Sequence, residues 1–278
     1  MADTEGDFNI FVGTETGLLK GVSVNPKSNI AKNFHNLKNG LSREEEITCM
    51  SWGDQNEILL GLRNQTVKIF DTSDKCFVGN IDVSSQGQEN FGPLRGVDRV
   101  DGAILTAAES GTVTLWRDPA ENRLSFNTID VELNSSGKLK KNDFETEEAR
   151  EKHLVTLKAG RSLCKLRTNK MQKNLIATGG KENDVQLWDL NRPEEPVFRA
   201  KNVKPDFLEL RVPVWVNDLC FPDPEKVHSL ATVNRHGQIR LYDTRKSSER
   251  RRPIMELTFP DETLTAICPV PNPNQVGV

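Results

Sequence analysis

One phrase recurs five times along this chain: an apolar run, a tight polar turn, then alternating residues that close on an aromatic and usually an aspartate. The copies are FVGTETGLLKGVS (Phe11 to Ser23), LLGLRNQTVKIFD (Leu59 to Asp71), LTAAESGTVTLWRD (Leu105 to Asp118), ATGGKENDVQLWD (Ala177 to Asp189) and ATVNRHGQIRLYD (Ala231 to Asp243). Each has the outline of a β-hairpin, because two apolar runs joined by a short polar turn return antiparallel. Val67 and Ile69, Val113 and Leu115, Val185 and Leu187, and Ile239 and Leu241 fall on one face of their strands. Lys68, Thr114, Gln186 and Arg240 fall on the other, so the period of two predicts half-buried strands.

The closing aromatics Phe70, Trp116, Trp188 and Tyr242 are separated by 46, 72 and 54 residues. A unit of roughly 45 residues, lengthened by insertions in later copies, points to a WD-repeat β-propeller, an all-β fold with one four-stranded blade per repeat. Before every hairpin but the first stands another short apolar segment: ITCMSW (Ile47 to Trp52), PLRGVDRV (Pro93 to Val100), SLCKLRT (Ser162 to Thr168) and VWVNDLCF (Val214 to Phe221). These suit the innermost strand of a blade. A further copy, LTAICPV (Leu264 to Val270), opens a sixth blade. About five and a half blades do not close a ring, and an open ring exposes a strand edge that natural proteins avoid. The expectation is an incomplete propeller over residues 8–278, cut short at its C-terminal side. The full-length protein would be seven-bladed, with six blades as the alternative.

One stretch breaks the rhythm. Between Trp116 and Trp188 lie about 25 extra residues, including SSGKLKKNDFETEEAREKH (Ser135 to His153). Mixed charge and little apolar content predict a solvated loop, or an arm that orders on a partner. Because HLVTLKAG (His153 to Gly160) reads as the outer strand of blade three, this charged insertion, residues 119–152, belongs between that blade's third and fourth strands. Where WD repeats usually carry a turn aspartate, this chain has Thr16, Asn64, Ser110, Glu182 and His236, and no Gly-His dipeptide precedes the blades. Short polar side chains still bond their own turns, but the Asp-His-Ser/Thr-Trp network of well-formed repeats is expected to be absent.

The chemistry-bearing residues exclude more than they suggest. A net charge of −3, from 37 basic and 40 acidic residues, gives no global pull toward nucleic acid. No apolar run nears the ~18 residues that span a bilayer, and the MADTEGD start lacks a secretory signal. The five cysteines are scattered without a C-x-x-C pair, which predicts small buried hydrophobes rather than disulfides or zinc ligands. The four histidines share no metal-cage spacing with acids or cysteines, and no nucleophile elbow or phosphate-cradling loop occurs. No enzyme activity, cofactor, metal or small-molecule substrate is predicted.

Binding surfaces are the better place to look. After the fourth hairpin the chain runs PEEPVFRAKNVKPDFLELRVPVWVNDLCF (Pro193 to Phe221) before the next inner strand ends. With PVFRA (Pro196 to Ala200) as an outer strand, Lys201 to Pro213 is the loop entering blade five. In a propeller, the turn between second and third strands opens onto the same face as the loop between blades. GKEN (Gly180 to Asn183) and that loop are therefore expected neighbours on the top surface. They gather Lys181, Glu182, Asn183, Lys201, Asn202, Lys204, Arg211 and Trp215, a mixture that suits a protein or RNA contact. In the competing reading, Phe207, Leu208, Leu210 and Val212 pin the loop to its blade and the charges are solvated. A second basic cluster, TRKSSERRRP (Thr244 to Pro253), reads as a soluble loop.

ATGGKEN followed by VQLWDL, then EEPVFRAKNV and LRVPVW, resembles the WD repeat-containing protein 74 family and its fungal counterparts, nucleolar factors of large ribosomal subunit assembly. VGTETGLLKGV resembles that family's first blade. The resemblance implies a non-enzymatic scaffold of the nucleus and nucleolus that joins pre-ribosomal particles of the large subunit. It implies a role in rRNA processing and release by a nuclear AAA-type ATPase. The implied partners are pre-ribosomal particle proteins, with a contact to rRNA left open. Carried onto this sequence, the family's segments correspond to Lys181, Glu182, Asn183, Arg199, Lys201, Asn202, Arg211, Pro213 and Trp215 as a docking face. The charged insertion is longer than the family pattern, so no role is carried onto it. A generic WD-repeat adaptor, such as a ubiquitin-ligase substrate receptor or a signalling scaffold, is the alternative, since both use propeller faces.

Overall fold

The computed structural model describes residues 8–24, 30–35, 40–84, 91–116, 153–205, 208–223, 226–245, 251–270 and 276–277. Strands β1 (Ile10–Gly13), β2 (Leu19–Ser23) and β3 (Ile30–Phe34) form a first, three-stranded sheet. Four-stranded sheets follow: β4 (Ile47–Trp52) to β7 (Cys76–Asp82) through β5 (Glu57–Leu62) and β6 (Thr66–Asp71); then β8 (Leu94–Val100), β9 (Ala103–Ala108), β10 (Thr112–Trp116) and β11 (His153–Lys158). The next contains β12 (Leu163–Thr168), β13 (Leu175–Gly180), β14 (Asn183–Asp189) and β15 (Phe198–Arg199). The fifth contains β16 (Val216–Cys220), β17 (Ser229–Asn234), β18 (Gln238–Asp243) and β19 (Met255–Thr258). Every sheet pairs antiparallel in chain order, and among the described residues there is no α-helix. The charged insertion, residues 119–152, lies outside the described residues.

The inner strands β4, β8, β12 and β16 touch in sequence, so the sheets stand as blades around a common axis. Each inner strand slips register after its first residue, leaving Thr48, Arg95, Cys164 and Asn217 as bulge residues. A bulge sharpens local twist and bends a strand, which suits a blade edge turned toward a narrow axis. Two of these side chains reach the next blade: Thr48 Oγ1 donates to the Leu94 carbonyl at 2.6 Å, and Asn217 Nδ2 to the Leu264 carbonyl at 2.6 Å. Leu264 therefore takes in the sixth blade the place that Leu94 takes in the third. Ile267 beyond it is 2% exposed, and β20 (Cys268–Pro269) pairs with β21 (Val276–Gly277).

The expectation of half-buried strands needs correction. Val67 and Ile69 face the third blade, while Ile58, Leu60 and Phe70 face the first, so both sides of this sheet are covered. The polar positions go inside too: Lys68, Thr114, Gln186 and Arg240 are all under 10% exposed. Blades pack face against face, so a period of two separates two neighbours rather than protein from water. Burial of these groups is tolerable because they are partnered. Lys68 pairs with Glu45 at 2.6 Å, Gln186 donates to Ala159 and Asn183, and Arg240 pairs with Glu256 at 2.7 Å.

The polar clamps are also better kept than the turn residues suggest. Trp116 Nε1 donates to Thr106 Oγ1 at 2.8 Å, and Trp188 Nε1 to Thr178 Oγ1 at 3.1 Å, which retains the Trp-Thr half of the network. In blade five Asn234, not His236, does the turn's work, accepting from the His236 and Gln238 amides at 3.0 Å. The cysteines divide: Cys49 and Cys220 are buried, Cys164 half-buried, and Cys76 and Cys268 exposed, all unpaired.

Candidate docking face

A repeated contact defines the rim that carries the candidate residues. In four blades, the first residue of the central hairpin turn donates its N–H to the residue that leads into that blade's inner strand. The pairs are Arg63 to Glu46 at 2.9 Å, Glu109 to Pro93 at 3.0 Å, Lys181 to Ser162 at 3.0 Å and Arg235 to Trp215 at 3.0 Å. Lys181 can approach Ser162 only because Gly180 precedes it: a Cβ on Gly180 would drive into the Ser162 carbonyl oxygen. The turn of one blade also ties to the next, with Glu182 N–H donating to the Val214 carbonyl at 2.9 Å and Leu163 N–H to Glu109 at 3.0 Å. The turns and the lead-in segments thus share one face.

This equivalence shows what is unusual. The positions held by Glu46, Pro93 and Ser162 in other blades hold Trp215 in blade five, so the fold itself does not demand an aromatic there. Lys181 bridges to Trp215 backbone to backbone, its Nζ lies 4.5 Å from the indole centroid, and the Arg235 guanidinium lies 4.7 Å from it. Each such contact is worth roughly 0.5–1 kcal/mol when exposed and more when dry. The Cys164 thiol lies against the same indole, its pKa raised by burial.

In blades two and three a rim arginine is paired with a carboxylate of its own blade. Arg63 pairs with Glu46, and Arg95 with Glu109 at 2.7 Å. Glu182 is engaged by Arg211 at 3.3 Å and by the Val214 N–H at 3.3 Å. Among the described residues, no carboxylate pairs with Lys181 or Arg235.

The structure brings Lys181, Glu182, Arg211 and Trp215 together, with Pro213 exposed between the last two. Asn183 and Asn202 turn inward instead. Asn183 Nδ2 donates to Ala159 and Arg161, and Gln186 donates to its Oδ1 at 3.0 Å. Asn202 Nδ2 donates to the Val212 carbonyl at 2.6 Å while its Oδ1 accepts from Val203 N–H and Arg240. Lys201 and Arg199 join a different neighbourhood: Lys201 N–H donates to Arg251, and Arg199 sits opposite Gln186 on β15. Burial raises the pKa of Asp184 at the foot of this group, against the opposing pull of Arg211, Arg240 and Arg199.

The Asn202 bond to the Val212 carbonyl ties the two ends of the loop together, and Phe207 lies outside the described residues. Leu208 and Leu210 are 61% and 59% exposed. Arg235 escapes a reading based on local composition, yet repeat register finds it, since it occupies in blade five the place of Lys181 in blade four. Among the described residues, no group of three His, Cys, Asp or Glu side chains could hold a metal ion.

Comparison with known proteins fits this architecture. No family model matches the chain. WD repeat-containing protein 74 of Homo sapiens is 36% identical over 277 residues, covering 97% of this chain, and that of Mus musculus is 35% identical over 283 residues, covering 100%. The chain spans 61% and 64% of their respective lengths. Ribosome biogenesis protein NSA1 of Meyerozyma guilliermondii is 33% identical over 124 residues, 41% of this chain and 31% of that protein. A chain in a crystal structure of the mitotic checkpoint complex superposes with a TM-score of 0.60 over 95% of this chain and 67% of its own, at 14% identity, a likeness of fold alone. The protein is a WD-repeat β-propeller and, over essentially its whole length, a homologue of the WD repeat-containing protein 74 proteins.

Proposed function

We propose that this chain is a non-catalytic scaffold in ribosome biogenesis that joins precursor particles of the large subunit in the nucleolus and nucleus. In this reading it supports particle maturation and rRNA processing, and a nuclear AAA-type ATPase releases it. Whole-length similarity to the WD repeat-containing protein 74 proteins and partial similarity to NSA1 proteins support the assignment. The observation that carries docking is the rim of blades four and five, where an aromatic the fold does not require stands between two cations. Aromatic and Arg side chains are the commonest energetic anchors of protein interfaces.

The flanking charges provide the test. Arg211 and Glu182 are 66% and 53% exposed, so their ion pair contributes at most about 1 kcal/mol to folding. Arg211→Glu should therefore fold normally yet shift the full-length protein from the large-subunit precursor fractions of a sucrose gradient to the top. Unchanged co-sedimentation of this variant would refute docking through this face.

A further inference from the structure

We infer that the rim site of Lys181, Trp215 and Arg235 receives the carboxylates of an acidic, leucine-bearing segment of a partner protein; this inference rests on the docking reading above and specifies its partner chemistry. Charge accounting comes first. Blades two and three neutralise their rim cations within the blade, through Arg63 with Glu46 and Arg95 with Glu109. At the junction of blades four and five, Lys181 and Arg235 rest on an indole, and the adjacent carboxylate of Glu182 is already engaged by Arg211 and the Val214 amide. Among the described residues, Lys181 and Arg235 thus stand as two cations on one indole with no carboxylate paired to either.

The indole orients these cations without consuming their donors. A ring attracts the charge as a whole, while an ammonium keeps three N–H groups and a guanidinium five for an incoming anion. Lys181 and Arg235 are both exposed, so those donors are reachable from solvent. A nucleic-acid base would have to displace the cations from the indole before stacking on it, whereas carboxylates meet them where they stand.

The surroundings separate protein from RNA. Leu208 and Leu210 are 61% and 59% exposed on the loop that leads through Arg211 and Pro213 to Trp215. Asn202 and its bond to the Val212 carbonyl hold that loop in place. A sugar-phosphate backbone has no apolar side chain with which to cover two leucines. An amphipathic protein segment supplies apolar and acidic groups together, matching the two halves of the surface by shape and charge.

The test places a photo-crosslinking amino acid at His236, an exposed neighbour of Arg235, in the full-length protein on its purified precursor particle. The expected product is a protease-sensitive, RNase-resistant adduct that maps to a partner segment rich in Asp, Glu and Leu. Lys181→Glu with Arg235→Glu should reduce its yield about tenfold or more, and Lys181→Arg with Arg235→Lys should restore most of it. A thermal melt matching the parent protein establishes that the charge-reversed variant is folded. An RNA adduct, or a protein adduct on a segment without acids, overturns this inference while leaving docking intact. Absence of any adduct while the protein still co-sediments with the particle overturns both.

Discussion

Replacing Asn202 by Ala tests whether the long loop before blade five is held by one side chain. The substitution removes the 2.6 Å bond from Nδ2 to the Val212 carbonyl and the two bonds that Oδ1 accepts, from Val203 N–H at 2.9 Å and Arg240 at 3.4 Å. The Val203 bond spans adjacent residues and the Arg240 bond is long, so most of the loss falls on the contact that closes the loop. At about 1 kcal/mol net for a neutral bond, the sum is about 2 kcal/mol. The ion pair of Arg211 with Glu182 is solvent-screened, and the backbone bonds of Lys201 to Arg251 and of Glu182 to Val214 each anchor one end of the loop without joining the two. Opening of the loop should become about 30-fold more frequent. Hydrogen exchange read by mass spectrometry should show this increase in peptides covering residues 201–215, with β13 and β14 unchanged. The melting temperature should fall by about 2 °C or less, because no blade interface is touched. Unchanged exchange in 201–215, or acceleration spread evenly over the sheets, would refute the staple.

Two further outcomes follow from burial. Desolvation, aided by Arg167, holds the Lys165 ammonium below its usual 10.5, against Asp218. Just below that value the unfolded chain binds more protons than the folded one, so this group's penalty is full at neutral pH and fades as pH rises toward 10.5. Lys165→Met should therefore raise the urea midpoint at about pH 7 and raise it less at about pH 9.5; a gain that grows with pH contradicts the argument. Burial also pushes the thiols of Cys49 and Cys220 up to about 11 and about 12, while Cys76 and Cys268 are exposed. Native alkylation at about pH 8 should modify Cys76 and Cys268 and spare the buried pair by mass spectrometry. Equal labelling rates would count against this packing.

Much of the fold is legible because hairpins are local. All five repeat copies contain a paired turn where expected, and HLVTLKAG forms the outer strand of blade three. The outer strand of blade four is shorter than it reads. PVFRA looks like five strand residues, but only Phe198 and Arg199 pair as strand with β14, and Ala200 N–H adds a bond to the Val185 carbonyl. The candidate site was half legible. Lys181, Glu182, Arg211 and Trp215 meet as the repeat geometry predicts, whereas Asn183 and Asn202 look like surface amides and are spent inside. An amide's sequence neighbours do not reveal which distant carbonyls it will find.

The sequence alone determined that this chain folds as blades, since apolar alternation and turn residues act over a few positions and repeat at a readable interval. It also located the loop where a surface could form. Only the tertiary structure decided which polar groups are surface at all. Lys68, Gln186 and Arg240 alternate like solvent-facing residues yet lie between blades, because a face that is polar within one sheet is covered by its neighbour. The structure likewise placed Arg235 against Trp215, 20 residues away in sequence but 4.7 Å away in space. That juxtaposition depends on how the turn of blade five reaches back to its lead-in strand, a long-range contact that no local pattern encodes.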